Sequence, residues 1–344
     1  MVTIGIDAHK RSHTVVAVEE QGRQLAQTTT GTTSSDHLQL LAWRPSRGRT
    51  GCGRPRTAAT SRAGWSATCS RPANRSFGCR PKLMANTRDG ARTFGKSDPI
   101  DALAVARAAL REPQLPVARV DGADRELRLL VDHREDLVAE RTRMISRLRW
   151  HLHELDPSNE PAARTLNHLR NLDKLASRLD GAEGTVARLA REITERCRHL
   201  TVEINALEKE ITALVEVLAP SLLAVCGCGP LTAAKIVGET AGIDRFKSND
   251  AYARHDGTAP LPVWSSNRAR HRLSRTGNRQ LNAAIHRIAL TQARHHPDAQ
   301  AMIARRKAQG DGGLEALRVL KRRLSDVVYR ALKTDAATEP RPAA

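Results

Sequence analysis

Two long segments with helical spacing of apolar residues constrain the fold of this chain more than any other feature. Residues 124–155 form one amphipathic run that Asp156 and Pro157 end, and a second run extends from Val186 to Leu218. In the second run the steps between apolar residues alternate between three and four, as in a heptad seam. We therefore expect a long helical coiled-coil middle, whose helices pair with each other or across a dimer. A plain helical bundle is the alternative.

The two ends of the chain show different patterns. Residues 2–31 alternate in short apolar runs and predict three strands, and "SSDHLQLLAW" predicts a helix after them. A further helix is predicted over 101–112. Beyond residue 220 the pattern is mainly helical, beginning with a helix, a tight glycine turn and a helix over 221–240. These patterns predict an α/β N-terminal domain (1–112), long helices (113–220), a mainly α C-terminal domain (221–334) and a tail (335–344).

Residues 44–80 do not fit an α/β domain. The segment has nine Arg, no Asp or Glu, and no Leu, Ile, Val or Met, although it holds three of the six cysteines. We expect no folded core from such a composition. A basic disordered linker is one interpretation. A GC-rich gene read out of frame gives the same residue types, and we favour that explanation, with the true frame returning near "PKLMA".

The charge distribution points to a polyanionic partner. The chain has a formal net charge of +19, of which +13 lies in residues 245–333. Concentrated positive charge favours phosphate binding, and hence nucleic acid, over a compositional bias. With no apolar run long enough for a membrane span and no C-x-x-C pair, we expect a protein of the reducing cytoplasm with free thiols.

Three aspartates are candidates for metal binding. Asp7 lies at the end of the first predicted strand, where a charge near a core needs a partner. Asp98 and Asp101 are three residues apart at a helix start, so one helix face can present both carboxylates. Oxygen ligands of this kind suit Mg²⁺. The alternative for Asp98 is a helix cap, formed by Ser97 or Asp98 itself.

Longer stretches carry a family resemblance. "GIDAHK" and "GKSDPIDALAVARAAL" in the first half, with "GCGPLTAAKIVGE" and "DGTAPLPVWSSNRARHRLSRTGNRQLNAAIHR" in the second, resemble the DEDD transposases of bacterial insertion sequences, of the insertion-sequence 110 type. The resemblance covers nearly the whole chain except residues 44–80. It implies a RuvC-like N-terminal domain with a ribonuclease-H-like fold, and a C-terminal transposase domain.

The resemblance also implies a metal site of four acids. Asp7, Asp98 and Asp101 match three of them and would hold Mg²⁺ (or Mn²⁺). The fourth is a glutamate on a central strand, and the corresponding stretch, residues 44–80, contains no acid. The gap in the family pattern coincides with the anomalous segment, which supports the frameshift interpretation. We therefore expect poor or absent activity from this particular chain.

In the second half the resemblance implies a serine nucleophile that forms a covalent DNA intermediate. Ser265 matches that serine, and Ser266 replaces the glycine that usually follows it. In the family this serine and the metal site are thought to form one composite site. From the residues alone, Ser265 would be an ordinary loop hydroxyl.

Several residues of the second half are candidates for contacts with nucleic acid. Gly227 and Gly229 resemble the turn of a helix-hairpin-helix, and a plain helical hairpin is an equal alternative. The other candidates are polar or basic: Arg268, Arg270, Arg272, Arg275, Asn278 and Arg279. The expected partners are DNA (element ends and target), a structured RNA encoded by the element, and further copies of this chain through the long helices.

Three functions remain open at this point. The first is a transposase that cuts and rejoins DNA with a divalent metal and a serine. The second is a catalytically dead remnant that only binds nucleic acid. The third is a RuvC-like junction nuclease, which would need neither Ser265 nor the second domain.

Overall fold

A computed structural model describes most of the chain, and it divides into two compact units, Met1–Gly122 and Ala123–Ala344. The described residues are 2–43, 56–59, 76–79, 81–90, 95, 97–112, 115, 122–162, 164–265, 268–272 and 277–338. The predicted division after residues 112, 220 and 334 stays a prediction.

The first unit is built on a five-stranded sheet. Its elements are β1 (Thr3–Ala8), β2 (His13–Val18), β3 (Gln24–Thr30), α1 (Ser34–Ala42), β4 (Arg56–Ala59), β5 (Ser76–Gly78), α2 (Pro81–Asp89) and α3 (Asp98–Arg111). The strand order is β3-β2-β1-β4-β5. The first three strands are antiparallel, whereas β4 pairs with β1, and β5 with β4, in parallel. The three predicted strands and the helix after them are all present.

Alternation along β1 and β2 gives the sheet two covered faces. On one face Ile4 and Ile6 pack with Val15, Ala17 and Leu40, which α1 supplies. On the other face β2 packs against α3 through a cluster of small and branched residues: Val16, Val18, Ala102 and Ala106. Because successive residues of a strand point to opposite faces, β1 carries its odd-numbered residues toward α3.

The composition of residues 44–80 predicts no folded core and leaves open whether the segment folds, and the structure places two short strands within it. Residues 56–59 and 76–78 pair with the sheet as β4 and β5. Cys79 is buried and packs with Val105, Ala108 and Ala109 of α3. Backbone pairing requires only N–H and C=O groups, so a strand can form without the aliphatic residues that the prediction required. The rest of this segment lies outside the described residues.

The second unit is helical apart from one two-stranded ribbon in the part that the structure describes. Its helices and strands are α4 (Ala123–Leu155), α5 (Leu169–Leu179), α6 (Thr185–Leu218), α7 (Pro220–Leu223), α8 (Pro230–Thr240), α9 (Asn249–Asp256), β6 (Leu261–Ser265), β7 (Arg268–Arg272), α10 (Arg279–His295), α11 (Pro297–Ala308) and α12 (Gly313–Thr338). Helix α12 therefore includes the first four residues of the predicted tail.

The two predicted long helices, α4 and α6, pack against each other within the chain. Arg134 pairs with Glu208 at 2.8 Å, and Arg196 pairs with Glu140 at 2.7 Å. Partner numbers fall along α6 as they rise along α4, so the helices are antiparallel. Buried apolar residues from both helices line the seam: Leu127, Val131, Leu137, Leu148 and Leu152 of α4, and Cys197, Leu200, Ile204, Ile211 and Val215 of α6. A true coiled coil stays a prediction.

The C-terminal helices enclose the largest apolar core of the second unit. Helices α8, α10 and α12 contribute Ile236, Ile285 and Val328 to it, and Tyr252 of α9 is fully buried there. Lys235 of α8 is 3% exposed and pairs with Asp132 and Glu135 of α4 at 3.1 and 2.8 Å. A buried lysine needs such partners, so this pair fixes α8 on the long helix.

Two further observations concern membrane-spanning helices and the cysteine thiols. Among the described residues, no helix combines the length and apolar character that crossing a membrane requires. Cys197, Cys226 and Cys228 are free thiols, and burial raises the pKa of the Cys79 and Cys197 thiols to about 11. These thiols therefore remain protonated at neutral pH.

Candidate functional site

Asp7, His9 and Asp98 converge at one edge of the sheet in the first unit. The His9 Nε2 atom lies 3.0 Å from Asp7 Oδ2 and 3.4 Å from Asp98 Oδ1. One ligand atom of each residue lies within 4.8 Å of the other two. Asp7 is 8% exposed, whereas about half of each of the other two side chains is exposed. Asp7 thus lies on the buried side of the cluster, and His9 and Asp98 lie on the side that is open to solvent.

The close packing of β1 on α3 brings these residues together. A Cβ atom added at Gly5 would lie 2.2 Å from the Ala102 carbonyl oxygen and 2.4 Å from the Ala106 nitrogen. Only glycine permits this approach. Asp7 follows Gly5 by two residues on the same face of β1, and therefore lies beside the first turn of α3, where Asp98 begins the helix. The positive N-terminal end of the helix also favours carboxylates at this position.

Asp98 does not cap its own helix in this geometry. Ser97 occupies the N-cap position, but no side chain makes a capping hydrogen bond there, and Pro99 lies in the first turn. The alternative offered by the sequence, a helix cap as the reason for Asp98, therefore has no hydrogen bond to support it. The Asp98 side chain approaches His9 instead.

Asp101 points to a different partner. Its Oδ1 atom accepts a hydrogen bond from Arg88 Nη1 of α2 at 2.9 Å, and its side chain is 9% exposed. This ion pair links α2 to α3. From the sequence, Asp98 and Asp101 were expected to present their carboxylates on one helix face. In the structure the Asp98 carboxylate lies beside Asp7 and His9, whereas the Asp101 carboxylate pairs with Arg88.

The donor set suits a divalent cation. Two carboxylates from different elements meet with an imidazole, and carboxylate oxygens are the ligands that hard divalent cations prefer in proteins. The expected glutamate has no counterpart among these residues, because strand β4, which lies next to β1, has the sequence RTAA. The site therefore offers a metal ion fewer carboxylates than the family pattern implies.

Ser265 ends the first strand of the ribbon in the second unit. The Cα register pairs Ser265 with Arg268, Val263 with Arg270, and Leu261 with Arg272. Residues directly opposite each other in an antiparallel pair share a face of the ribbon. The backbone thus places the serine and three arginines on one face. Residue 266, which replaces the family glycine, and Arg275 lie outside the described residues.

Tight packing holds the two ends of this ribbon together. A Cβ atom at Gly277 would lie 2.4 Å from the Gly257 Cα atom, so a side chain at residue 277 would prevent the approach. The Asn278 backbone N–H donates to the His255 carbonyl at 2.6 Å, and the Asn282 side chain donates to the Asp256 carbonyl at 2.8 Å. The residues on either side of the ribbon, at 255–257 and 277–282, are therefore held next to each other.

Asn278 has a structural role in this arrangement. Its side-chain oxygen accepts hydrogen bonds from the Gln280 and Leu281 N–H groups, which caps α10, and its amide donates to the buried Glu239. Arg279, the next residue, is exposed. A contact between Asn278 and nucleic acid remains a prediction, and it would have to coexist with the cap.

The glycine turn before α8 has the geometry of a helix entry. Gly227 has a φ of +83°, and a Cβ atom there would lie 2.9 Å from the Thr291 Cβ atom. Gly229 is the N-cap of α8, and a Cβ atom there would meet nothing within 4 Å. The start of α8 is thus open to solvent. A phosphate contact at this turn stays a prediction.

Sequence reasoning missed three features that the site depends on. His9 stands within the quoted motif "GIDAHK", two residues after Asp7, and that proximity was the available signal. The ribbon was not predicted, although Arg268, Arg270 and Arg272 alternate with period two, as in a strand. The partnership of Arg88 with Asp101 has no local signal, because the two residues belong to different helices.

Two family models match this chain, one in each half of the sequence. Residues 4–157 match the DEDD transposase family of IS110 type, and residues 219–304 match the family described as "Transposase IS116/IS110/IS902 family". An uncharacterized 44.8 kDa protein of insertion element IS116 from Streptomyces clavuligerus is 27% identical over 313 residues, covering 76% of this chain and 77% of the relative.

A second relative is an uncharacterized 42 kDa protein of insertion element IS900 from Mycobacterium paratuberculosis, 26% identical over 310 residues, covering 72% of this chain and 74% of the relative. The family matches fall on the Asp7–Asp98 region and on the ribbon with Ser265. The chain belongs to the IS110-type DEDD transposase family.

Proposed function

We propose that this chain is the transposase of a bacterial insertion sequence that cleaves and rejoins DNA, with a divalent cation held at Asp7 and Asp98 and with Ser265 as nucleophile. The observation that carries the proposal is the convergence of Asp7 and Asp98, from β1 and from the start of α3, in a chain of this transposase family. The sheet order β3-β2-β1-β4-β5, with its antiparallel and parallel halves, supports a ribonuclease-H-like (RuvC-like) fold for the first unit.

The residues of the first unit have distinct parts in the proposal. A bound divalent cation supplies charge neutralisation at the scissile phosphate and activation of an attacking oxygen. Asp7 would hold the cation from the buried side of the cluster, and Asp98 would hold it from the side that is open to solvent. Asp101 acts through its ion pair with Arg88, which holds the start of α3 in place.

In the second unit, the Ser265 hydroxyl would lose its proton as its oxygen attacks phosphorus, and the strand oxygen that leaves would take up a proton. The product is a protein–DNA phosphodiester. Rejoining would reverse these bonds: a strand oxygen attacks the same phosphorus, and the Ser265 oxygen leaves and is protonated again. Arginines on the same ribbon face as Ser265 suit the negative charge of the phosphate in this step. Arg268 is directly opposite the serine in the register.

Binding of DNA relies on the positive charge of the second unit. Arg270, Arg272, Arg275 and Arg279 would contact the phosphate backbone, and Gly227 and Gly229 would let the start of α8 approach a further phosphate. Contacts of this kind are blind to base sequence. A structured RNA of the element would bind the same charge, and further copies of the chain would associate through α4 and α6.

Strand cleavage tests the proposal. The purified chain is incubated with Mg²⁺ or Mn²⁺ and end-labelled DNA carrying the element ends, and products are separated on denaturing gels. Because poor or absent activity is expected from the unmodified chain, the variants are made in a version whose reading frame is restored across residues 44–80. In that version we expect Asp7→Asn to abolish cleavage, and Ser265→Ala to remove a covalent protein–DNA adduct while leaving DNA binding intact. Ser266→Ala is the matched control. Cleavage by the Asp7→Asn variant would show that the metal assignment is wrong, and an adduct with Ser265→Ala would move the nucleophile to another residue.

A second candidate function is a remnant that binds nucleic acid without cutting it. The absence of any acid in residues 44–80, and thus of the family glutamate, favours it. Binding without cleavage by the unmodified chain would support the remnant. Resequencing codons 43–81 then decides whether a corrected reading frame restores a glutamate on β4. A junction nuclease would instead cut four-way junctions equally well with Ser265→Ala.

A further inference from the structure

The His9 imidazole nitrogen in the candidate metal centre supports an inference that goes beyond the family pattern. Among the described residues, Asp7, His9 and Asp98 form the one group of three or more His, Cys, Asp or Glu side chains placed closely enough to share a cation. Within it, His9 Nε2 approaches both carboxylates, at 3.0 and 3.4 Å. A single imidazole nitrogen thus lies where two carboxylate groups meet.

The chain around His9 explains why this nitrogen is in place. Strand β1 ends at Ala8, and the His9 N–H donates to the Ser12 carbonyl at 3.0 Å, closing the turn into β2. The turn holds the His9 backbone two residues from the buried Asp7. The His9 side chain remains 51% exposed, so a hydrated cation has access to it from solvent.

We propose that His9 is a protein ligand of this metal site, that it takes the place of the absent glutamate, and that its imidazole makes the site prefer Mn²⁺ to Mg²⁺. The inference rests on the proposed function, since it assumes that Asp7 and Asp98 hold the cation. Mg²⁺ favours an all-oxygen octahedron and keeps much of its water. First-row transition cations accept imidazole together with carboxylate, so a mixed set of one nitrogen and two carboxylates favours them.

The arrangement has a simpler explanation that the experiment must separate from the proposal. His9 could serve only as an ion-pair partner of Asp7 and Asp98. In that case a cation would compete with the imidazole, and removal of His9 would leave Mn²⁺ binding unchanged or tighten it. As a ligand, His9 contributes directly to Mn²⁺ affinity and much less to Mg²⁺ affinity.

The test measures metal binding by the full-length chain without any activity assay. Free Mn²⁺ is followed by its electron paramagnetic resonance signal, and Mg²⁺ affinity is obtained by competition. We expect His9→Ala to weaken Mn²⁺ binding by about tenfold or more and Mg²⁺ binding by less than about threefold. His133→Ala is the matched control, because His133 is an exposed histidine of α4. It should change neither affinity.

A spectroscopic measurement on the unmodified chain keeps the inference testable if His9→Ala does not fold. Electron spin echo modulation of bound Mn²⁺ should show nitrogen coupling from one imidazole, and its absence would overturn the inference. The Asp7→Asn variant distinguishes failure of the His9 inference from failure of the proposed metal site. If Asp7→Asn weakens both cations while His9→Ala leaves their ratio unchanged, His9 is not a ligand and the metal site stands. If Asp7→Asn changes neither, the metal site of the proposed function is wrong.

Discussion

At the residue scale, His13 and His37 form a buried pair in the first unit whose protonation depends on pH. Their Nε2 atoms are 3.0 Å apart and their rings are stacked, with centroids 5.1 Å apart. The residues are 1% and 2% exposed. Burial lowers the pKa of both histidines from its ordinary value near 6.5, and the neighbouring His37 lowers the pKa of His13 further.

We expect the stability of the first unit to fall as the pH drops below about 6.5. The unfolded chain takes up protons on both histidines there, while the folded chain keeps them neutral, so acid favours unfolding. Each histidine lowers the free energy of unfolding by up to about 1.4 kcal/mol for each pH unit below that value. Melting temperatures between pH 8 and pH 5 should show a shallower decline for His37→Gln than for the unmodified chain. His133→Ala should retain the full decline, and equal slopes for all three proteins would contradict the assignment.

The aspartates show how far residue-level reasoning reaches. The sequence indicated Asp7 and Asp98 as candidates because a charge at a strand end and a charge at a helix start both need partners. The spacing of Asp98 and Asp101 suggested a shared role, and the structure separates them. The reason is Arg88, whose helix brings a guanidinium to 2.9 Å from Asp101, and no local pattern encodes that distance.

At the scale of elements, the contact of β1 with α3 decides whether the site exists. Gly5 allows the strand to touch the backbone of α3, and Ala102 and Ala106 are fully buried beneath it. Two elements separated by about ninety residues of sequence thereby bring the Asp7 and Asp98 carboxylates into one cluster. The site is thus a consequence of packing between small residues.

Gly5→Ala should therefore damage both stability and metal binding. The added Cβ atom would lie within 2.4 Å of two backbone atoms of α3, so the strand and helix must separate. We expect a loss of about 1–3 kcal/mol in the free energy of unfolding, measured by urea titration, and weaker Mn²⁺ binding. Gly181→Ala is the control, since a Cβ atom there meets nothing within 4 Å. Unchanged Mn²⁺ affinity in a folded Gly5→Ala protein would show that the close contact is not needed.

Elements with a strong local period were predictable, and those without one were not. Helices α4 and α6 begin and end within one residue of their predicted bounds, because apolar spacing and Pro157 are signals along the chain. The ribbon of β6 and β7 was missed, since its stability depends on cross-strand register and on the contact of Gly277 with Gly257.

At the scale of the whole molecule, charge is the dominant property. Lys and Arg exceed Asp and Glu by 19 over the chain, and by 13 within residues 245–333. Three acidic residues of α4 form ion pairs with other helices of the second unit: Asp132 and Glu135 pair with Lys235, and Glu140 pairs with Arg196. A basic region of this kind binds nucleic acid through phosphate contacts, and such binding depends steeply on salt.

We expect affinity for duplex DNA to fall linearly with salt on a log–log plot, and replacement of Arg268, Arg270 and Arg272 by Ala to reduce the slope by about three. Each lost phosphate contact releases about one fewer counterion. Fluorescence anisotropy at salt concentrations between about 50 and 200 mM measures the slope. A triple variant at the exposed Arg143, Arg147 and Arg170 is the matched control. An equal loss of slope in both variants would indicate that charge acts without a defined surface.

The amino-acid sequence by itself determined the class of elements, the long helical middle, the basic character of residues 245–333 and two of the acids of the candidate centre, because each depends on local composition or period. Tertiary structure decided which groups meet. It joined His9 to Asp7 and Asp98, paired Asp101 with Arg88, and drew β4 and β5 into the sheet. Such contacts depend on packing between distant segments, here through Gly5 on α3, and distance along a chain does not encode distance in space.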